Sequence, residues 1–109
     1  MNKTVEILQY TLHKGTGAAF HAIMQEISVP LHQRHRIDVV SYGNSLHDID
    51  CYYLIRAFES TDDMNTVLNS FYASVDWRYG PRQSIISCIE TSIKTVINLP
   101  PASVDALRV

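Results

Sequence analysis

The stretch Ser28–Gly43, SVPLHQRHRIDVVSYG, holds two imidazoles and two guanidinium groups within the five residues from His32 to Arg36. Imidazole titrates near neutral pH, and it serves both as a general base and as the commonest metal ligand. His32 and His35 are three apart, so on a helix their side chains share a face. A zinc ion would need a third or fourth ligand of similar reach. His21 cannot be that ligand on the same helix, because 11 residues separate it from His32, about 16 Å along the axis. His13, His47, Asp48 and Asp50 fall in loops that could approach, but nothing in their spacing requires it. No metal is expected. The stretch also has a plainer use as a helix end, since Arg34, His35 and Arg36 would fill a last turn where cationic donors suit the free carbonyls.

Glu6 and Arg56 are the other charged candidates, and both interrupt apolar runs. Thr4–Leu12, TVEILQYTL, alternates as a strand, with Val5, Ile7, Gln9 and Thr11 on one side and Glu6, Leu8, Tyr10 and Leu12 on the other. Cys51–Phe58, CYYLIRAF, is aromatic, apolar and free of breakers, which predicts a second such strand. With Glu6 beside Tyr10, and Arg56 beside Tyr52 and Leu54, both charges would point into an apolar interior. Buried charges are costly unless paired. The pair is then either a structural salt bridge or the polar end of a ligand pocket. Tyr10, Tyr42 and Tyr52 could orient a ligand through their hydroxyls, or stand simply as strand residues with satisfied hydroxyls.

The elements that would position these groups follow from periodicity. Phe20, Ile23, Met24, Ile27 and Leu31 form one helical stripe after the turn HKGTG. Pro30 predicts a kink or break near Val29, with a last turn through Arg36. On that wheel His35 borders the stripe while His32 lies further toward solvent, so His35 is the candidate for a catalytic or ligand contact. Ile37–Leu46 reads as a strand and HDID as a hairpin loop. STDDMNTVLNSFYAS opens a second helix, with Ser60 and Asp63 placed for a capping box and Met64, Val67, Leu68 and Phe71 as its stripe. Trp77 is expected to lock this helix against the following segment; stacking on a ligand is its sharper role. Pro81 suits the start of a short third helix. Thr91–Leu99 alternates as a last strand, and Pro100-Pro101 ends it.

The order β-α-β-β-α-(α)-β is the split βαβ pattern of an α+β domain, one domain over residues 1–109, with a four-stranded antiparallel sheet. Helices would cover one face. The other would carry Leu8, Tyr10, Tyr52, Leu54 and Phe58, too apolar for water, so a second copy is expected to cover it. A formal net charge of −2 and the lack of a basic stripe argue against nucleic acid. No apolar run approaches the ~20 residues that span a bilayer. The N-terminus has no signal-peptide pattern, so a cytoplasmic location is the expectation. Cys51 and Cys88 lack metal spacing and read as buried, reduced thiols. Phosphate loops, nucleophile elbows and zinc-protease motifs are absent.

The segments VEILQYTLHKGT, VPLHQRHRI, YYLIRAFESTDDM and FYASVDW, in that order and spacing, resemble the NIPSNAP family. The resemblance covers about Val5 to Leu99. It implies a ferredoxin-like fold, a dimeric α/β barrel and a homodimer, and little chemistry. Two departures stand out. The family's first strand reads Glu-Leu-Arg-x-Tyr, and here Leu8 replaces the arginine, so no binding role resting on that arginine carries over. Arg36 stands where the family usually has glycine. Related barrels include cofactor-free monooxygenases, small isomerases and decarboxylases, and haem binders. A haem would need an axial ligand facing a large pocket, and none of the five histidines is placed for it. The reading is therefore a homodimer, without cofactor, that binds a small hydrophobic or aromatic molecule through Glu6, Tyr10, Tyr42, Tyr52, Arg56 and Trp77. The alternatives are a cofactor-independent monooxygenase or isomerase using His35 or Glu6 as base, and a protein-interaction module.

Overall fold

The computed structural model describes residues 1–108. Its strands are β1 (Lys3–Leu12), β2 (Asp38–Asn44), β3 (Cys51–Phe58) and β4 (Ile89–Leu99). They form one antiparallel sheet in the order β2-β3-β1-β4. The helices are α1 (Gly17–Ile23), α2 (Val29–Arg34), α3 (Thr61–Ala73), α4 (Val75–Arg78), α5 (Arg82–Cys88) and α6 (Pro101–Ala106). None is long and apolar enough to cross a membrane.

Pro30 does not break its helix. A π-helical turn over Met24–Ser28 joins α1 to α2. The Val29 N–H donates to the Met24 carbonyl five residues back, and Val29 keeps helical angles. Pro30 thereby falls in the first turn of α2, where proline's fixed φ and missing N–H are best tolerated. The extra residue rotates all of α2 by about 100° relative to α1. Ile27, expected on the apolar stripe, is 48% exposed, while Ser28, Val29 and His32 are buried.

Arg36 then adopts φ 60°, the left-handed conformation that glycine would accept freely, and turns the chain into β2. At α3 the Ser60 hydroxyl accepts from the Asp63 N–H at 3.0 Å, and Asp63 Oδ2 accepts from the Glu59 N–H at 3.1 Å. This is the expected cap with its return bond displaced by one residue. Pro101 ends the last strand and also opens α6, which periodicity had not indicated.

The strand alternation holds, but the faces are exchanged. Leu8, Tyr52, Leu54 and Phe58 lie beneath the helices, packed with Phe20, Met24, Leu31, Met64, Leu68 and Phe71. They do not face a second copy. Period two partitions residues between faces without saying which face receives the helices. The open face carries Ile7, Gln9 and Thr11 of β1, paired with Ile55, Tyr53 and Cys51 of β3 and with Thr95, Ile93 and Thr91 of β4. At one end α6 covers it through Val104, which packs with Val5, Val40 and Ala57. Arg108 ties this helix end down with two bonds of 2.8 Å to Asp38. Beyond α6 the face is open, and Ile93 is 62% exposed.

Candidate functional site

Glu6 and Arg56 are cross-strand partners on the central strands, on the face that the helices cover. Arg56 Nε and Nη2 both donate to Glu6 Oε1, at 2.6 and 2.5 Å. Lys94, half exposed on β4, donates to Glu6 Oε2 at 3.1 Å. Arg56 Nη1 reaches His32 Nε2 at 3.1 Å, and His32 Nδ1 lies 2.7 Å from the Ser28 carbonyl oxygen. A guanidinium only donates and a carbonyl only accepts. His32 is therefore the neutral tautomer with its hydrogen on Nδ1. Burial pushes its pKa down to about 4, and the Arg56 charge adds to that; the bond to Ser28 opposes it. The Phe71 ring lies over the imidazole with centroids 4.6 Å apart.

This corrects the expected placement of His32, while His35 keeps its expected place at the border of the core. The π turn rotates His32 into the core, where it is 2% exposed, and leaves His35 at the margin. His35 Nε2 contacts Asp76 Oδ2 at 3.1 Å and its ring packs edge-on to Phe71. The pair presents no joint metal-binding face, since both nitrogens of His32 are taken. The Glu6–Arg56 pair also points under the helices, and not into a space between two sheets. Each of its polar atoms is satisfied, as is every buried side-chain nitrogen and oxygen among the described residues.

The aromatic candidates divide between core and rim. Trp77 is buried against Phe71 and Tyr72, at 5.3 and 5.4 Å between centroids, and so locks α3 to α4. Tyr52 is buried, and its hydroxyl bonds His21 Nδ1 at 2.7 Å. Tyr10 packs edge-on to Phe20 at 5.8 Å. Burial raises the pKa of both tyrosines well above the usual phenol value, so they act as neutral hydrogen-bonding groups. Tyr42 is partly buried beside His21, at 6.1 Å between rings.

Space for a ligand lies elsewhere. A cleft of about 930 Å³ opens on the uncovered sheet face and the adjoining β2–β3 loop. Gln9, Thr11, Tyr53, Ile93 and His47 line it, together with Tyr10 and Tyr52 from the expected set. The loop is held firmly. Asp50 accepts from the Gly15 and Gly17 N–H groups at 3.0 and 2.9 Å, which keeps its carboxyl below the usual range. Gly17 is required there, because a Cβ would come within 2.1 Å of the Ile49 carbonyl oxygen. Gln9, Tyr53 and Ile93 were missed because periodicity alone assigned the two sheet faces in reverse. The alternation itself had already grouped Gln9 with Ile7 and Thr11.

No protein-family model matches the sequence, nor does any curated protein. Solved structures do match its fold. A NIPSNAP family protein of unknown function from Agrobacterium tumefaciens superposes with a TM-score of 0.80 over 90% of this chain and 88% of its own, at 22% identity. An uncharacterised NIPSNAP-like domain protein from Burkholderia xenovorans gives 0.80 over 90% and 84%, at 14% identity. A Bordetella bronchiseptica protein named for the antibiotic biosynthesis monooxygenases gives 0.66 over 91% and 96%, at 22% identity. The likeness read in VEILQYTLHKGT and YYLIRAFESTDDM thus has its counterpart in three dimensions, and the chain has the fold of the NIPSNAP family proteins.

Proposed function

We propose that the protein is a NIPSNAP-like homodimer that binds a small hydrophobic or aromatic molecule in the open-face cleft. The observation that carries this reading is the cleft itself: a large concavity with tyrosine and isoleucine walls and a few convergent polar groups. That composition is typical of small-molecule sites. Tyr53 and Ile93 would pack against the ligand body, while Gln9, Thr11 and His47 would direct hydrogen bonds. The second copy enters through the same face. Ile93 and Ile97 are exposed there beside Ile7 and Ile55, and an apolar sheet surface of this kind favours association. Glu6 and Arg56 serve the fold in this reading, since their polar atoms bond one another, His32 and Lys94.

Native mass spectrometry of the purified chain tests both parts. The expected result is a dimer with additional non-covalent mass, and an I93E/I97E variant that is monomeric. A monomer at micromolar concentration would overturn the dimer. A dimer indifferent to I93E/I97E would overturn the interface. Loss of the extra mass in a Q9L/Y53A variant that remains dimeric is the expected signature of the cleft, and its retention would place the ligand elsewhere.

A second reading, a cofactor-independent monooxygenase or isomerase, is favoured by the likeness to the Bordetella protein. In that case His47 is the base to test, because it lines the cleft and His35 does not. Turnover unaffected by His47→Ala would remove it from the mechanism.

A further inference from the structure

Arg78 and Arg82 stand on either side of the Gly80-Pro81 turn between α4 and α5. With Tyr72 and Tyr79 they line a separate depression of about 350 Å³. No carboxylate lines it, and among the described residues neither guanidinium has an ion-pair partner. Asp76, the acidic group nearest in sequence, is engaged by His35. The surroundings add positive charge. Arg56 lies over the Tyr72 ring, its Cζ 5.8 Å from the centroid. Its partner Glu6 is shared with Lys94, so those two cations and one anion leave a net +1. With Arg78 and Arg82, and with Asp76 set against them, these groups carry a net +2 on a chain whose formal net charge is −2.

The depression also offers flat apolar surface. Tyr72 and Tyr79 are 40% and 80% exposed, and the Arg78 Cζ lies 5.9 Å from the Tyr79 ring centroid. The floor is firm. Trp77 is buried beneath, and the turn at Gly80 is tight enough that a Cβ would lie 2.2 Å from the Asp76 carbonyl oxygen.

We propose that this depression is an anion site, distinct from the open-face cleft, for a small molecule bearing a carboxylate or phosphate on a planar body. The guanidinium fork matches the two oxygens of either group, and it stacks well beside aromatic rings. The tyrosines receive the planar body.

The test is a titration of the full chain with benzoate, inorganic phosphate and benzylamine, followed by two-dimensional amide NMR. Benzoate and phosphate are expected to give saturable shifts centred on residues 78–82 and the Trp77 indole, and benzylamine none. The exposed R78Q/R82Q variant should retain the native spectrum elsewhere and bind both anions about tenfold or more weakly. Tyr79→Ala should weaken benzoate but not phosphate, which separates the aromatic contribution from the charge. Non-saturating shifts, shifts dispersed over the surface, or undiminished binding by R78Q/R82Q would overturn the proposal.

Discussion

His32 makes this fold sensitive to acid over a defined range. Its imidazole is neutral and accepts a hydrogen bond from Arg56 at 3.1 Å. Protonating Nε2 would set two donors against each other beside a buried guanidinium. The group titrates near 6.5 in an unfolded chain and at about 4 here, with burial as the main cause. The unfolded chain thus holds more protons between those values, and stability rises with pH across them. It is at its full value above about pH 6.5 and falls on acidification. The loss from this one residue is about 1.4 kcal/mol by pH 5.5, about 2 kcal/mol by pH 5 and about 3 kcal/mol below pH 4. The chain carries four other histidines and eleven carboxylates, so the assay is a difference. Urea unfolding of the native chain and of H32Q, at one protein concentration from pH 7.5 to 4.5, isolates the term. H32Q is expected to be less stable at pH 7.5, and the gap should narrow by about 2 kcal/mol at pH 5. Parallel pH profiles for the two proteins would refute the assignment of a neutral, Arg-bonded imidazole.

Two further substitutions bear on the same framework. Arg56→Met strands the buried Glu6 carboxylate with Lys94 alone and should destabilise by about 3–5 kcal/mol, whereas Glu6→Leu/Arg56→Met should be the more stable of the two variants in urea unfolding. Equal losses would mean that the Glu6 carboxylate does not depend on Arg56 for its burial. Arg36→Gly removes about 1–2 kcal/mol of left-handed strain against about 0.5–1 kcal/mol of glycine entropy, so a net gain near 0.5 kcal/mol is expected in thermal unfolding. A clear loss of stability would show that the Arg36 side chain contributes more than its backbone costs.

How much of this was legible in the chain varies with the kind of signal. Strand β3 was read with its observed bounds, because an unbroken aromatic and β-branched run has few other fates. That Glu6 and Arg56 could share one face was legible from the alternation, and charges buried there are costly unless paired, but whether the two bond one another was open until the register placed them opposite. The choice of face was not legible, because both alternating sets carry apolar residues and only their competition for the helices decides. The π turn was also hidden. Counting by 3.6 assumes one residue per 100° throughout, and an extra residue before Pro30 shifts the phase of the positions after it, which buries His32 while Leu31 stays in the core. What holds that turn open can itself be tested. If the proline alone demanded it, Pro30→Ala would let a regular helix re-form and rotate His32 out of the core. That change would regain about 0.5–1.5 kcal/mol of hydrogen bonding. It would also leave buried donors on Arg56 without their acceptor, at about 1–3 kcal/mol, and lose the apolar contact of Phe71 over the imidazole. The balance favours the wide turn in Pro30→Ala as well. The His32 pKa, followed by imidazole NMR in that variant, should therefore stay near 4. A return toward 6.5 would mean that the proline, and not the burial of His32 against Arg56 and Phe71, sets the register of the helix.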